Sequence, residues 1–152
     1  MARSGKKKST VPRSIDYREF ISQVRLVALS IERGAFNVDR ERFFNELEGE
    51  KGKYLISAAY KVAKVGKDFF DTLSSFDVST DAAPGREPSL RIVCSVSAHF
   101  HCPGRVDPQS CERFANSEMK LIVWPFFRQF AFDATSRMSI PPVAIPLSTE
   151  LE

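Results

Sequence analysis

Residues 90 to 102 read Leu-Arg-Ile-Val-Cys-Ser-Val-Ser-Ala-His-Phe-His-Cys. Leu90, Ile92, Cys94, Val96, Ala98, Phe100 and Cys102 fall on one side of an extended chain. Arg91, Ser95, Ser97, His99 and His101 dominate the other. A period of two with one apolar and one polar side predicts a strand that covers a core on one face only, the pattern of antiparallel sheets.

Downstream, Pro103 and Gly104 break the strand and the period becomes helical. Asp107 followed by Pro108 predicts a helix start, because the carboxylate caps free N–H groups and proline occupies a position whose N–H is not needed. Asn116 and Ser117 offer a second start. Phe127, Phe130, Ala131, Ala134 and Met138 then follow helical spacing and form one apolar stripe, with Phe126 and Phe132 off it. A helix apolar beyond one stripe predicts burial on two sides, between its own sheet and a second subunit. Trp124, Phe126, Phe127, Phe130 and Met138 are therefore the candidate oligomer interface. Pro125 is expected near the helix start or at a kink, and Ile140-Pro141-Pro142 ends the helix.

Upstream, Asp81 to Ser89 contains Pro84, Gly85 and Pro88 and reads as a loop. Asp68 to Ser79 and Lys53 to Val65 both alternate, less cleanly, and read as strands. Gln23 to Ile31 is β-branched and aliphatic with apolar residues on both sides from Leu26 to Leu29, so a strand covered on both faces is expected. Arg33 to Gly52 mixes charge with Phe36, Phe43, Phe44 and Leu47 and is left open as a crossover carrying a short helix or strand. Four strands followed by helix give the fold class: α+β, a four-stranded antiparallel β-meander with a long C-terminal helix packed on one face.

The chain has 152 residues, enough for one core, and 43% hydrophobic against 27% charged residues argues against wholesale disorder. Thirteen phenylalanines exceed the need of a small core, so the surplus is expected at an interface or a groove. Arg3, Lys6, Lys7, Lys8 and Arg13 precede any acid; without these five, the 22 basic residues fall to 17 against 19 acids. The body is thus not a basic nucleic-acid platform, whereas the tail alone has the charge to touch a polyanion. Residues 1–14 are expected to be a disordered basic arm, 15–147 the domain and 148–152 a C-terminal tail. No apolar run approaches the roughly 18 to 20 residues of a membrane span, and the lysines near the N-terminus lack a signal peptide's apolar stretch. A cytoplasmic location is expected, and three cysteines without an export signal fit reduced thiols.

Cys94, His99, His101, Cys102 and Cys111 carry the side chains of zinc sites, but on a strand the two histidines project opposite to Cys94 and Cys102. No metal is expected, and a Cys-His nucleophile fails for the same reason. Gly49-Glu50-Lys51-Gly52-Lys53 lacks the glycine interval of a phosphate loop, and Tyr54 stands where its hydroxyl should be. Glu46, Glu48 and Glu50 read as a solvated face. The chain is expected to be no enzyme and to need no cofactor. What remains is aromatic surface, with Phe36, Phe43, Phe44 and Phe76 as candidate contacts for apolar segments of another chain.

From Leu121 to Leu147 the sequence Leu-Ile-Val-Trp-Pro-Phe-Phe-Arg-Gln-Phe-Ala-Phe-Asp-Ala-Thr-Ser-Arg-Met-Ser-Ile-Pro-Pro-Val-Ala-Ile-Pro-Leu resembles the helix region of SecB and SecB-like chaperones. Trp124, Pro125, Phe126, Arg128, Arg137, Pro141 and Pro142 occupy that family's aromatic, proline and arginine positions. Upstream the likeness is one of arrangement, four strands before the helix. The resemblance implies dimers, or dimers of dimers paired through the helices, and ATP-independent holding of unfolded or precursor polypeptides. Its implied partners are the export motor or the antitoxin of a toxin-antitoxin system. Typical members add a second C-terminal helix and an acidic tail, whereas Glu152 here closely follows the Pro-rich segment. The alternatives are an interaction subunit dedicated to one partner, and polyanion binding through the basic arm.

Overall fold

The computed structural model describes residues 15–48 and 54–146. In chain order these form α1 (Tyr17–Gln23), β1 (Arg25–Val38), α2 (Arg40–Glu48), β2 (Tyr54–Val65), β3 (Phe69–Thr80), β4 (Leu90–His101), α3 (Pro108–Ser117) and α4 (Met119–Arg137). The basic arm, the Gly49–Lys53 run and the C-terminal tail lie outside the described residues.

The strands make one antiparallel sheet in the order β1-β4-β3-β2. The expected antiparallel α+β architecture is present, and β2, β3 and β4 are a meander. The first strand departs from that meander: β1 pairs with β4 at the far edge and not with β2. The cause is α2, which carries the chain across the end of the sheet. Phe43 of α2 is buried in the core, and Arg40 donates to the carbonyl oxygens of Met138 (2.6 Å) and Ser139 (3.1 Å). Arg42 donates to the carbonyl of Glu87 (2.9 Å), and the Asp39 N–H to that of Ser89 (2.7 Å). With α2 pinned at that end of the sheet, the next strand, β2, is laid down beyond β3.

Leu90, Ile92, Cys94, Val96, Ala98 and Phe100 of β4 are buried beneath the helices, as the alternation predicts. Phe70, Phe76 and Val78 of β3 join them. Two aromatic clusters fill the space above. Phe70 and Phe100 stack at 5.0 Å, with Phe114 of α3 edge-on to both and Phe20 of α1 beside Phe70. Phe76 stacks on Phe127 of α4 at 4.4 Å, with Trp124 alongside. Such pairs add about 0.5–1.5 kcal/mol each to the burial of their area. The helix α1, absent from the sequence reading, exists to deliver Phe20; Asp16 caps it by accepting the N–H of Arg18.

Asp107 caps α3 as expected, accepting from the Ser110 N–H and hydroxyl at 3.0 and 2.8 Å. The second helix begins at Met119, directly after Glu118, and Pro125 lies inside it. It ends where Ser139 takes φ 54° and the N–H of Ile140 reaches back to the Thr135 carbonyl at 3.2 Å. The segment after it returns along the core: Ile140, Val143 and Ile145 are buried, and the Trp124 indole donates to the Pro146 carbonyl at 2.8 Å.

Candidate polypeptide-binding surface

The first strand was expected to be covered on both faces, and its side chains are instead largely exposed. Two β-bulges explain both the reading and its failure. Register shifts fall between Leu26 and Ala28 and between Ile31 and Arg33, and each inserts one residue that moves the alternation by one. Leu26 thus opposes Phe100, Leu29 opposes Ala98, Ile31 opposes Val96 and Phe36 opposes Ile92. All four partners are inward-facing, so these four large side chains form a row on the helix side, while Ala28, opposite His99, lies on the other face.

That row is not roofed. Phe127 of α4 sits on Phe76 of β3, and the Thr72 hydroxyl donates to the Met119 sulfur at 3.4 Å, so α4 runs over the middle of the sheet. At β1 the ring of Phe130 approaches Gly34, where a Cβ would lie 2.7 Å from it. Ile31 is 55% exposed, Val27 61% and Phe36 41%. On α4 itself Leu121, Phe126 and Phe132 are also exposed, and Phe44 of α2 stands beyond the end of the row with Arg40 5.7 Å over its ring. Exposed apolar side chains therefore lie both along the sheet's first edge and on α4, which meet where Phe130 approaches Gly34.

The candidate residues divide cleanly. Phe36 and Phe44 are open to solvent, whereas Phe43 and Phe76 are core side chains with 1% and 2% exposure. Of the candidate interface residues, Phe126 is exposed and Phe130 half-buried. Trp124, Phe127 and Met138 are buried by the chain's own sheet and C-terminal segment. Those buried rings have no free area for a partner, because the stripe that the helical spacing identified is the one laid on the sheet. Sequence reasoning missed Leu26, Val27, Ile31, Leu121 and Phe132; the aliphatic run at 26–31 was the available signal, hidden by the bulges.

The polar groups lie elsewhere. Cys94 and Cys102 point into the core and His99 projects from the opposite face, where its Nδ1 meets Asp71 and its ring packs 5.3 Å from Phe69. Burial pushes the Cys94 thiol up to about 11 and, with smaller contributions from nearby negative groups, the Cys111 thiol up to about 12. Both thiols are thereby held protonated and unreactive at neutral pH. Among the described residues no three His, Cys, Asp or Glu side chains converge as metal ligands, and no helix is long and apolar enough to cross a membrane.

No protein-family model matches this chain, and no curated protein matches it in sequence. Its fold is similar to that of the Mycobacterium tuberculosis Rv1957 SecB-like chaperone, solved in complex with a ChAD peptide from the Rv1956 HigA1 antitoxin. The two superpose with a TM-score of 0.66 at 12% identity over 90% of this chain and 98% of that one. A Streptococcus agalactiae protein of unknown function is matched more loosely, with a TM-score of 0.46 at 10% identity over 82% of this chain and 97% of the other. The first likeness establishes a SecB-like fold.

Proposed function

We propose that this protein is an ATP-independent holdase that binds extended apolar segments of unfolded or precursor polypeptides on the exposed apolar surface of β1 and α4. The observation that carries the reading is the row of Leu26, Ile31 and Phe36, aimed to the core side of the sheet yet left open. Covering one such side chain returns about 1.5–3 kcal/mol, and the exposed edge of β1 offers backbone groups to an extended chain. Binding of this kind reads hydrophobicity more than sequence and needs no cofactor and no covalent step. Likeness in fold to a SecB-like chaperone supports it.

Part of the same surface serves association of copies into a dimer or tetramer, with Phe126 and Phe130 as the interface residues still available. Residues 15–147 act as one unit in the cytoplasm. Whether clients go to an export motor or come from an antitoxin follows from the client, and the basic arm is a second element for polyanions. A dedicated subunit for one partner is the competing reading, favoured by the single antitoxin peptide held by the SecB-like neighbour.

The test is suppression of aggregation of several unrelated denatured proteins without nucleotide. The wild type should hold most of them at stoichiometric amounts, and the double variant Ile31→Asp/Phe36→Asp should lose at least tenfold in potency, since charges in the row forfeit several kcal/mol of burial. Holding only one client selects the dedicated subunit; holding none removes the proposal.

A further inference from the structure

The face of the sheet turned away from the helices carries a depression of about 450 Å³, which continues into a second of about 310 Å³. They share Ser57, Asp77 and Arg91. Register explains the hollow. Across the four strands Arg33, Ser95, Ser75 and Ala59 form one transverse row, and Ala35, Val93, Asp77 and Ser57 form the next. Ser95 and Ser75 in the first row and Val93 beside Asp77 in the second leave a shallow floor of methyl groups and hydroxyls around one carboxylate, with Arg33 at one end and Arg91 in the following row.

The charge on this face is one-sided. Its paired positions carry Arg25, Arg33, Lys61, Lys64 and Arg91 against Asp71 and Asp77. Both carboxylates are engaged, Asp71 with His99 and Asp77 with the Nε and one terminal nitrogen of Arg91 (2.6 Å at the shortest). Arg91 is thereby oriented with its other terminal nitrogen free of Asp77, while Arg33 and Lys61 have no carboxylate partner among the described residues. A strand-built floor with Arg33 unspent at its rim and Lys61 on the same face complements an extended chain whose carboxylates alternate with small side chains.

We infer that this open face is a second docking surface, for an acidic, extended segment of a partner protein, separate from the apolar surface on the helix side. Nucleic acid fits it less well. Phe36 and Phe76 border the depression, but register puts their rings in the helix-side rows, level with Ile92 and Cys94, and Asp77 sets a carboxylate within the depression that repels phosphate. With opposite faces for client and partner, a partner can approach while a client is held.

The test uses the full chain and a fluorescein-labelled dodecapeptide alternating Glu with Ala, read by fluorescence anisotropy. The same peptide with Lys for Glu, and single-stranded DNA of equal length, are the competing arms. The Glu peptide should bind and weaken as salt rises, as contacts between exposed charges do. Arg33→Glu should weaken it by about tenfold or more while Arg33→Lys retains most of the affinity. In NMR spectra the amides of Ala35, Ser57, Ser75 and Ser95 should shift, with those of Leu26 and Ile31 unmoved. Aggregation suppression and the unfolding midpoint of Arg33→Glu should equal those of the wild type. Equal or tighter binding of the Lys peptide or of DNA would overturn the inference, as would unaltered binding by Arg33→Glu or shifts confined to the helix-side surface.

Discussion

β4 and β1 are neighbours in the sheet and share an axis of pairing, but they live in different surroundings. Every second residue of β4 from Leu90 to Phe100 is buried under helices, and its other face is polar. Along β1 the helix-side residues are apolar too, yet only Leu29 and Val38 escape exposure. The contrast shows that apolar patterning has two uses in this chain. In β4 it is satisfied by intramolecular packing; in β1 it is left exposed, and the proposed function puts the client there. A monomer gains nothing in folding from aliphatic side chains left in water, so their presence is an argument about binding.

The largest expected effect lies under α4. Phe127→Ala removes a fully buried ring stacked on Phe76 and bordered by Trp124, leaving a cavity that α4, held through the Met119 side chain to Thr72 and the Trp124 indole to Pro146, cannot readily close. The loss should be about 3–5 kcal/mol, read from the denaturant midpoint with an unchanged slope. A loss below about 1 kcal/mol would mean that α4 is not packed on β3 as described, and the contrast between the two strands would collapse.

A smaller effect comes from the thiols of the covered region. Burial raises Cys94 from 9.0 to about 11 and Cys111 to about 12. In the unfolded chain both groups return to their ordinary value, so between pH 9 and 12 the unfolded state has released protons that the folded state retains. Stability from this source is therefore complete below about pH 9 and is lost as pH rises towards the folded values. Unfolding midpoints measured at about pH 8 and about pH 10 should fall with pH, and Cys94→Ala should flatten the fall. Tyr54 and Tyr60, also raised by burial, contribute in the same direction and keep the slope from vanishing.

These differences also set what was legible in the sequence. β4 and the Asp107-Pro108 start could be read because each is a local signal, period two in one case and cap chemistry in the other. The place of β1 could not, since strand order depends on where α2 is pinned, through Arg40, Arg42 and Phe43, none of which announces a distant partner. Its surface was obscured by bulges: at two positions an inserted residue shifts the parity, so a one-sided row counts as two-sided. The nine candidate side chains fall on different sides of the surface, with Phe130 half-buried. Phe36, Phe44 and Phe126 are open, but Phe43, Phe76, Trp124, Phe127 and Met138 were spent inside, because helical spacing identifies the buried stripe before it identifies any surface. The open-face depression could not be read as a site, because the residues that form it are brought level only by the register of four strands.

The smallest expected change in stability is at Ile31, and there the comparison is sharpest. Ile31 and Val96 are paired across the β1–β4 ladder and project to the same side, yet Val96 is 1% exposed and Ile31 is 55%. Val96→Ser buries an unmatched hydroxyl under the helices and should cost about 2–4 kcal/mol. Ile31→Ser places the same hydroxyl in water, where a surface change stays within about 0.5 kcal/mol. If folding alone explained the sequence of β1, Ile31→Ser would be silent in every measurement. If β1 is kept apolar for a client, the variant should melt with the wild type and still suppress aggregation several-fold less well, and the two readouts taken on one preparation decide between those accounts.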